Sequence, residues 1–184
     1  METGSEAVKR NFILQQGFPD PPLESCPPQY SALVFQPRVV GLLLLLGIIL
    51  QEPGVFFALG GLLWWSAIFP RLNPFDALYN WLRSRRPGRV ALSAAPGPRR
   101  FAQGMAGTFA LAIAVLLLLG WRVTAIVLQC MFAAAVAALA FGGFCLGSFV
   151  FHLIRGRGGF AVRTLPWARG AGPLSEASEG GSSS

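Results

Sequence analysis

The chain has 184 residues and a net charge of +7, yet only 12% of its residues are charged while 53% are hydrophobic. A soluble domain carries about a quarter charged residues, so this composition indicates a membrane protein and excludes an ordinary soluble domain. Lysine occurs once and the arginines flank apolar runs. The positive charge therefore predicts membrane topology and no nucleic-acid partner.

Four apolar runs predict an all-α fold: a polytopic membrane protein with four transmembrane helices in two hairpins, plus a cytoplasmic interfacial amphipathic helix. The spans lie at about 33–50, 54–69, 101–119 and 123–151. A span needs about 20 residues. The purely apolar part of the first run covers only 39–50, so whether it crosses fully stays open. Around this 33–155 membrane domain we expect an irregular cytoplasmic segment at 1–32 and a disordered cytoplasmic tail at 156–184.

Basic residues are distributed unevenly about these spans. Of the 15 Lys and Arg residues, 14 fall on one side of the predicted spans and only Arg122 falls on the other. By the positive-inside rule the side with the 14 basic residues is cytoplasmic, so both termini and the middle loop are expected on that side. The first 32 residues show no apolar stretch after a basic start, so we expect no signal peptide. The chain is predicted to be a multi-pass protein of the plasma (inner) membrane.

The loop between the two hairpins contains a predicted helix at about 73–86. Asn73 is a plausible N-cap, Pro74 a first helical residue and Asp76 a first-turn acid. Leucines and aromatic residues recur at helical spacing and basic residues end the helix, which is typical of a helix lying on anionic lipid headgroups. The residues expected to contact headgroups are Trp81, Arg83, Arg85 and Arg86. The alternative is an ordinary solvated linker helix.

Few residues could carry chemistry. No Asp, Glu or Lys lies inside a predicted span, so a proton relay has no obvious members. One histidine and three scattered cysteines, Cys26, Cys130 and Cys145, cannot supply the ligands of a zinc site. The sequence therefore predicts no metal, no cofactor and no assigned catalytic residue.

Helix packing is the better-supported role for the small and polar residues of the last two spans. Gly143 and Gly147 are four apart, a spacing that lets another helix approach closely. On a helical wheel Gln129 falls on the same face, and Gln103 lies one turn inside the third span. We expect these side chains to pack inside the protein or against a second copy.

Cys145 admits two interpretations. On the wheel it points roughly 160° away from the glycines, so it is either a small apolar residue of another packing stripe or a reactive thiol. In the second case the site would consist of Cys145, Ser148, His152 and Arg100. If the hairpin of the third and fourth spans is tight, Cys145 lies near residues 97–100, where Arg99, Arg100 and a protonated His152 would lower its pKa. A direct hydrogen bond from His152 is excluded in a straight helix, because the two residues are about 10 Å apart along the axis.

Four short motifs carry a resemblance to a known family. PRVV, LNPFDALYN, PRRFAQGMAG and GFCLGS occur in this order over roughly 36–155. In these motifs the chain resembles a bacterial integral membrane family catalogued as domain of unknown function, family 4395. The resemblance implies a multi-span domain without an established activity. Many members read GFCLGC at the last motif and some are joined to thioredoxin-like domains, which implies thiol redox chemistry for those members. Here Ser148 replaces the second cysteine, which leaves only monothiol chemistry.

The sequence leaves three functions open. The first is a non-enzymatic membrane protein that acts as a helix-packing scaffold or accessory subunit, either alone or as a homo-oligomer. The second is a membrane monothiol protein in which Cys145 exchanges with a cytoplasmic thioredoxin-like partner. The third is a small oligomeric channel or transporter.

Overall fold

The computed structural model describes residues 4–20, 22, 26–83 and 94–168, and every regular element in these ranges is helical. Nine α-helices follow in chain order. They are α1 Gly4–Gln15, α2 Cys26–Leu33, α3 Phe35–Leu50, α4 Pro53–Ile68, α5 Pro74–Arg83, α6 Gly97–Leu118, α7 Arg122–Gly142, α8 Leu146–Ile154 and α9 Gly158–Arg163. A single 3₁₀ turn, Pro70–Leu72, lies between α4 and α5.

Within the described residues, three helical segments are long and apolar enough to cross a membrane, namely Cys26–Leu50, Gly97–Leu118 and Arg122–Gly142. The first combines α2 and α3, because Val34 between them keeps helical torsion angles and donates its N–H to Tyr30. The first run is therefore longer than 33–50, and the doubt about its length does not apply. The short run is α4, whose 16 residues span about 24 Å against a hydrocarbon thickness of about 30 Å.

Both predicted hairpin turns are present. Gln51 ends α3 in the left-handed conformation with φ 52°, and Pro53 opens α4 at the helix start, where its missing N–H is harmless. Gly120, with φ 76°, follows α6 and turns the chain into α7. The main core lies between α3, α4, α6 and α7 and includes Leu44, Phe56 and Ile113.

The most extensive contact between the described helices joins α4 to α6 and includes two glycines. A Cβ placed on Gly60 would lie 2.7 Å from Leu111 and 3.2 Å from the Gly107 carbonyl oxygen. A Cβ on Gly107 would in turn lie 3.2 Å from the Gly60 carbonyl oxygen. Small residues let backbones approach in membrane helices, so this pair fixes the register of α4 on α6.

The structure differs from the expected single span at 123–151. Helix α7 ends at Gly142, Gly143 turns left-handed with φ 63°, and α8 begins at Leu146. Gly143 and Gly147 therefore do not share one helix face, and the wheel that placed Cys145 opposite them does not apply. Hydropathy could not show the break because the flanking residues are apolar on both sides.

The terminal segments also differ from expectation. Helix α1 and all but the last residue of α2 lie within the 1–32 region expected to be irregular, and α9 lies within the 156–184 region expected to be disordered. A second core covers this end of the bundle, where Phe12 and Ile13 of α1 pack with Leu33 and Val34. Residues 169–184 lie outside the described ranges, so the prediction for that part of the tail is not addressed.

We expect Gly60→Val to destabilise the fold by about 1–3 kcal/mol, because the added methyl groups overpack the α4–α6 contact. Gly61→Val is the matched control, since a Cβ on Gly61 meets nothing within 4 Å. That change should stay within about 0.5 kcal/mol. Denaturant unfolding of both variants in detergent measures their free energies of unfolding. Equal losses for Gly60→Val and Gly61→Val would contradict a close α4–α6 contact at Gly60.

Candidate functional site

A buried polar cluster lies where α3, α5 and α6 all begin. Arg99, in the first turn of α6, is 4% exposed. Its Nη2 donates to Asp76 Oδ1 at 2.8 Å and to Gln36 Oε1 at 2.8 Å. Gln103, one turn further along α6, donates to the same Gln36 oxygen at 2.9 Å. The cluster therefore ties three helices together at one end of the bundle.

Local sequence holds Asp76 in place for this pairing. Asn73 caps α5, because its Oδ1 accepts the Phe75 N–H at 3.0 Å, as the sequence predicted. The same oxygen accepts from Ser66 on α4 at 3.1 Å, and Asn73 Nδ2 donates to Asp76 Oδ2 at 3.0 Å. Helix α4 thus joins the cluster through its last turn.

Helix α5 is only partly the interfacial helix that was expected. Phe75 and Tyr79 are buried in the protein, whereas Trp81 is 71% exposed and Leu82 is also exposed. Arg83 ends the described helix, and Arg85 and Arg86 lie outside the described residues. Contact with lipid headgroups stays a prediction.

Cys145 occupies the N-cap position of α8 and is 2% exposed. Its backbone N–H donates to Gln15 Oε1 at 2.9 Å, and His152 Nε2 donates to the Gln15 carbonyl oxygen at 3.1 Å. Gln15 of α1 therefore connects to both ends of α8. Beside it, Gly147 packs so closely on α6 that an added Cβ would lie 2.6 Å from Ala102 Cβ.

Burial shifts the pKa values of Cys145 and His152 in opposite directions. Loss of water raises the pKa of the Cys145 thiol above its ordinary value, although Ser148, the first amides of α8 and Arg99 partly oppose the rise. Burial likewise lowers the pKa of His152, partly opposed by the Gln15 carbonyl. At neutral pH we therefore expect a protonated Cys145 thiol and a neutral His152 imidazole.

The predicted redox set is only partly brought together. Ser148 is buried one turn after Cys145, but His152 bonds to Gln15. Arg100 points elsewhere and donates to the Ala67 carbonyl at 2.7 Å. The arginine that partly opposes the rise in the Cys145 pKa is Arg99.

The predicted packing residues are dispersed. Gln103 makes the expected tie between helices. Gln129 pairs with Gln51 at 3.0 Å near the opposite end of the bundle. Gly143 lies in the α7–α8 turn, where an added Cβ would be 3.3 Å from Val8.

Sequence reasoning missed Gln15, Gln36 and Asp76 as site residues. Gln15 was hidden by the expectation of an irregular N-terminal segment, although Val8, Phe12 and Gln15 follow a helical spacing. Gln36 and Asp76 are joined to Arg99 only through contacts distant in sequence, for which one sequence holds no signal.

Arg99, Gln103 and Cys145 line one cavity of about 70 Å³, together with Gln16 and Gln36. The remaining walls are apolar side chains from α2, α3, α4, α6 and α7. Arg99 Nη1 and Gln103 Oε1 are buried and have no hydrogen-bond partner. Within the described ranges, no group of three or more His, Cys, Asp or Glu residues could hold a metal ion.

Residues 31–155 match the family described as Domain of unknown function (DUF4395). The chain belongs to this family. The match covers the DUF4395 domain from the end of α2 to the start of the α8–α9 turn and includes the Arg99 cluster and Cys145. No curated protein and no solved structure matches the chain.

We expect Asp76→Asn to destabilise the DUF4395 domain by about 3–5 kcal/mol, because it leaves the buried Arg99 charge unpaired. The control is Asp20→Asn, which removes the exposed Arg10–Asp20 ion pair and should cost about 1 kcal/mol or less. Unfolding free energies in detergent test both. Similar losses of unfolding free energy for the two variants would show that burial does not make the Arg99–Asp76 pair more stabilising than the exposed Arg10–Asp20 pair.

Cys145 should react with maleimide only slowly near neutral pH in a chain carrying Cys26→Ala and Cys130→Ala. The thiolate is the reactive form and burial disfavours it, so the half-maximal rate should fall above the free-thiol pKa of about 8.5. A rate profile from pH 5 to 10 in native membranes measures this. A midpoint well below 8.5 would mean that the amides and Arg99 outweigh burial.

Proposed function

We propose that this DUF4395 chain is a non-enzymatic multi-pass membrane protein that serves as a helix-packing scaffold or accessory subunit. The observation that carries the proposal is that the polar residues most suited to chemistry are engaged in internal ties. Arg99 joins α6 to α3 and α5, and Gln15 joins α1 to α8. Such ties make a rigid membrane unit.

Four crossings with both termini in the cytoplasm agree with the contacts at the cluster. The start of α3, the end of α4 and the start of α6 meet there through Gln36, Ser66 and Arg99. The start of α8 is tied to α1 at this end by Gln15. Helix α4 must then traverse the same depth as α3, although it is short, and mismatch of a few ångström has a modest cost. The excess of arginine supports a cytoplasmic, inner-membrane orientation for this end.

The scaffold acts through contacts other than the predicted glycine pair. Gly147 is already used against Ala102, so Gly147→Leu would disturb the monomer before any assembly. Large apolar side chains of α3 and α7 are exposed, such as Leu42, Ile49, Val127 and Met131. These faces are available to lipid or to a partner helix.

A second candidate is the membrane monothiol. Cys145 stands at a helix N-terminus with Ser148 one turn away, the position in which a thiolate is usually stabilised. Its burial and raised pKa favour the scaffold, since a thioredoxin-like protein would need access to the sulfur. The channel stays a prediction with no specific observation in its favour.

Trapping disulfides in cells separates the two candidates. We expect tagged protein carrying Cys145→Ala to reach the wild-type level in the membrane and to enter the same cross-linked complexes. Diagonal gels after oxidative stress should show no disulfide-linked species that depends on Cys145. Cys130→Ala is the matched control, because Cys130 is exposed. A mixed disulfide that disappears only with Cys145→Ala would overturn the scaffold and establish the monothiol.

A further inference from the structure

Two side chains that line the cavity beside Cys145 each carry a buried polar atom without a hydrogen-bond partner. Arg99 and Gln103 are 4% and 5% exposed, and both side chains line this space. Arg99 Nη1 has no partner to accept its hydrogens, and Gln103 Oε1 has no donor. A buried polar atom that lacks a hydrogen-bond partner lowers the stability of the fold. A small group that accepts from one and donates to the other would remove both costs.

An apolar groove of about 420 Å³ adjoins this cavity on the outer face of α3 and α7. Pro37 and Val136 line both spaces, so the groove meets the polar cavity at these two side chains. Four of its lining residues are small, namely Gly41, Ala133, Ala137 and Ala140, and most of the others are large and apolar. The groove volume lies within the range of about 300–1,000 Å³ typical of ligand sites. Its shape and position suit an alkyl chain entering from the bilayer.

The charges define the head group of such a ligand. Asp76 already balances Arg99 at 2.8 Å, so a further buried carboxylate would leave a net negative charge in a space with little water. A protonated carboxyl group avoids this cost. Its carbonyl oxygen would accept from Arg99 Nη1, and its hydroxyl would donate to Gln103 Oε1. Arg38, exposed on the same groove, would attract the ionised acid at the membrane surface before entry.

The volume of the cavity limits which lipid head groups can fit. A volume of about 70 Å³ holds on the order of five water molecules at 10–15 Å³ each. That space admits a carboxyl group, whereas a glycerophosphate head with two chains needs more room and a second groove.

We propose that the cavity and the groove together form a binding site for one fatty acid, with its carboxyl group between Arg99 and Gln103 and its chain along Gly41 and Ala137. This goes beyond a scaffold, since it gives the bundle a specific lipid ligand. Cys145 lines the head-group end and would contact the bound acid.

The first test is equilibrium binding of radiolabelled palmitic acid to the purified full-length chain in detergent. Ala137→Phe fills the groove, and we expect it to weaken binding about tenfold, equivalent to about 1.4 kcal/mol. Ala134→Phe is the matched control, because Ala134 is also exposed on α7 but does not line the groove. It should leave affinity within about twofold.

The second test uses the wild-type chain alone, so no variant has to fold. Palmitic acid methyl ester keeps the chain and the carbonyl but lacks the hydroxyl donor. We expect it to bind about tenfold more weakly, because Gln103 Oε1 is then left unpaired. A palmitic acid with a diazirine near its methyl end should cross-link to α3 or α7 residues of the groove.

Each alternative occupant has its own result. Equal binding of acid and ester, or no loss with Ala137→Phe, would show non-specific partition and overturn the site. Competition by phosphatidylglycerol as strong as by palmitic acid would assign the groove to a diacyl lipid. A change of oligomeric state with Ala137→Phe, without loss of palmitic acid binding, would assign it to a second copy. None of these results depends on the Cys145 disulfide test, so the lipid site and the scaffold fail separately.

Discussion

The Arg99–Asp76 ion pair is the interaction on which the arrangement of this bundle depends. Arg99 lies in the first turn of α6, where the helix dipole disfavours a cation. It is also almost fully buried, so its charge has little water to stabilise it. Asp76 lies in the first turn of α5, where the dipole favours an anion. The carboxylate therefore compensates both unfavourable features of Arg99, and α5 must sit against α6 for this to happen.

This constraint extends to the neighbouring helices through shared acceptors. Gln36 accepts from both Arg99 and Gln103, which places the start of α3 against α6. Asn73 receives the Ser66 hydroxyl, which places the end of α4 against α5. At the other end, only the Gln51–Gln129 pair and the hairpin turns carry polar contacts among the helices described. The bundle is thus specified by polar contacts at one end and by apolar packing and the Gly60–Gly107 contact along its length.

Much of the fold could be predicted from the sequence, because long apolar runs and turn residues are local signals. The hairpin turns at Gln51 and Gly120 and the Asn73 cap are examples, each set by a few adjacent residues. The break at Gly143 could not be predicted in the same way. GGFCLG is apolar throughout, so hydropathy continues across it, and the positive φ of Gly143 depends on how α8 packs on Ala102. The N-terminal helices were missed because prolines at positions 19, 21, 22, 27 and 28 suggested an irregular segment, although Pro27 and Pro28 lie within a helix. Both lie in the first turn of α2, where proline is tolerated.

The break at Gly143 also decides the chemistry of Cys145. It moves the cysteine from the side of a long helix to the N-cap of α8, beside the first amides of that helix and Arg99. Such a position stabilises a thiolate by about 0.3–1 kcal/mol, which is less than one pKa unit of about 1.36 kcal/mol. Full burial can shift a pKa in the opposite direction by up to about 3–5 units. Desolvation therefore outweighs the helix terminus, and the thiol stays protonated for as long as α1, through Gln15, covers this end of the bundle.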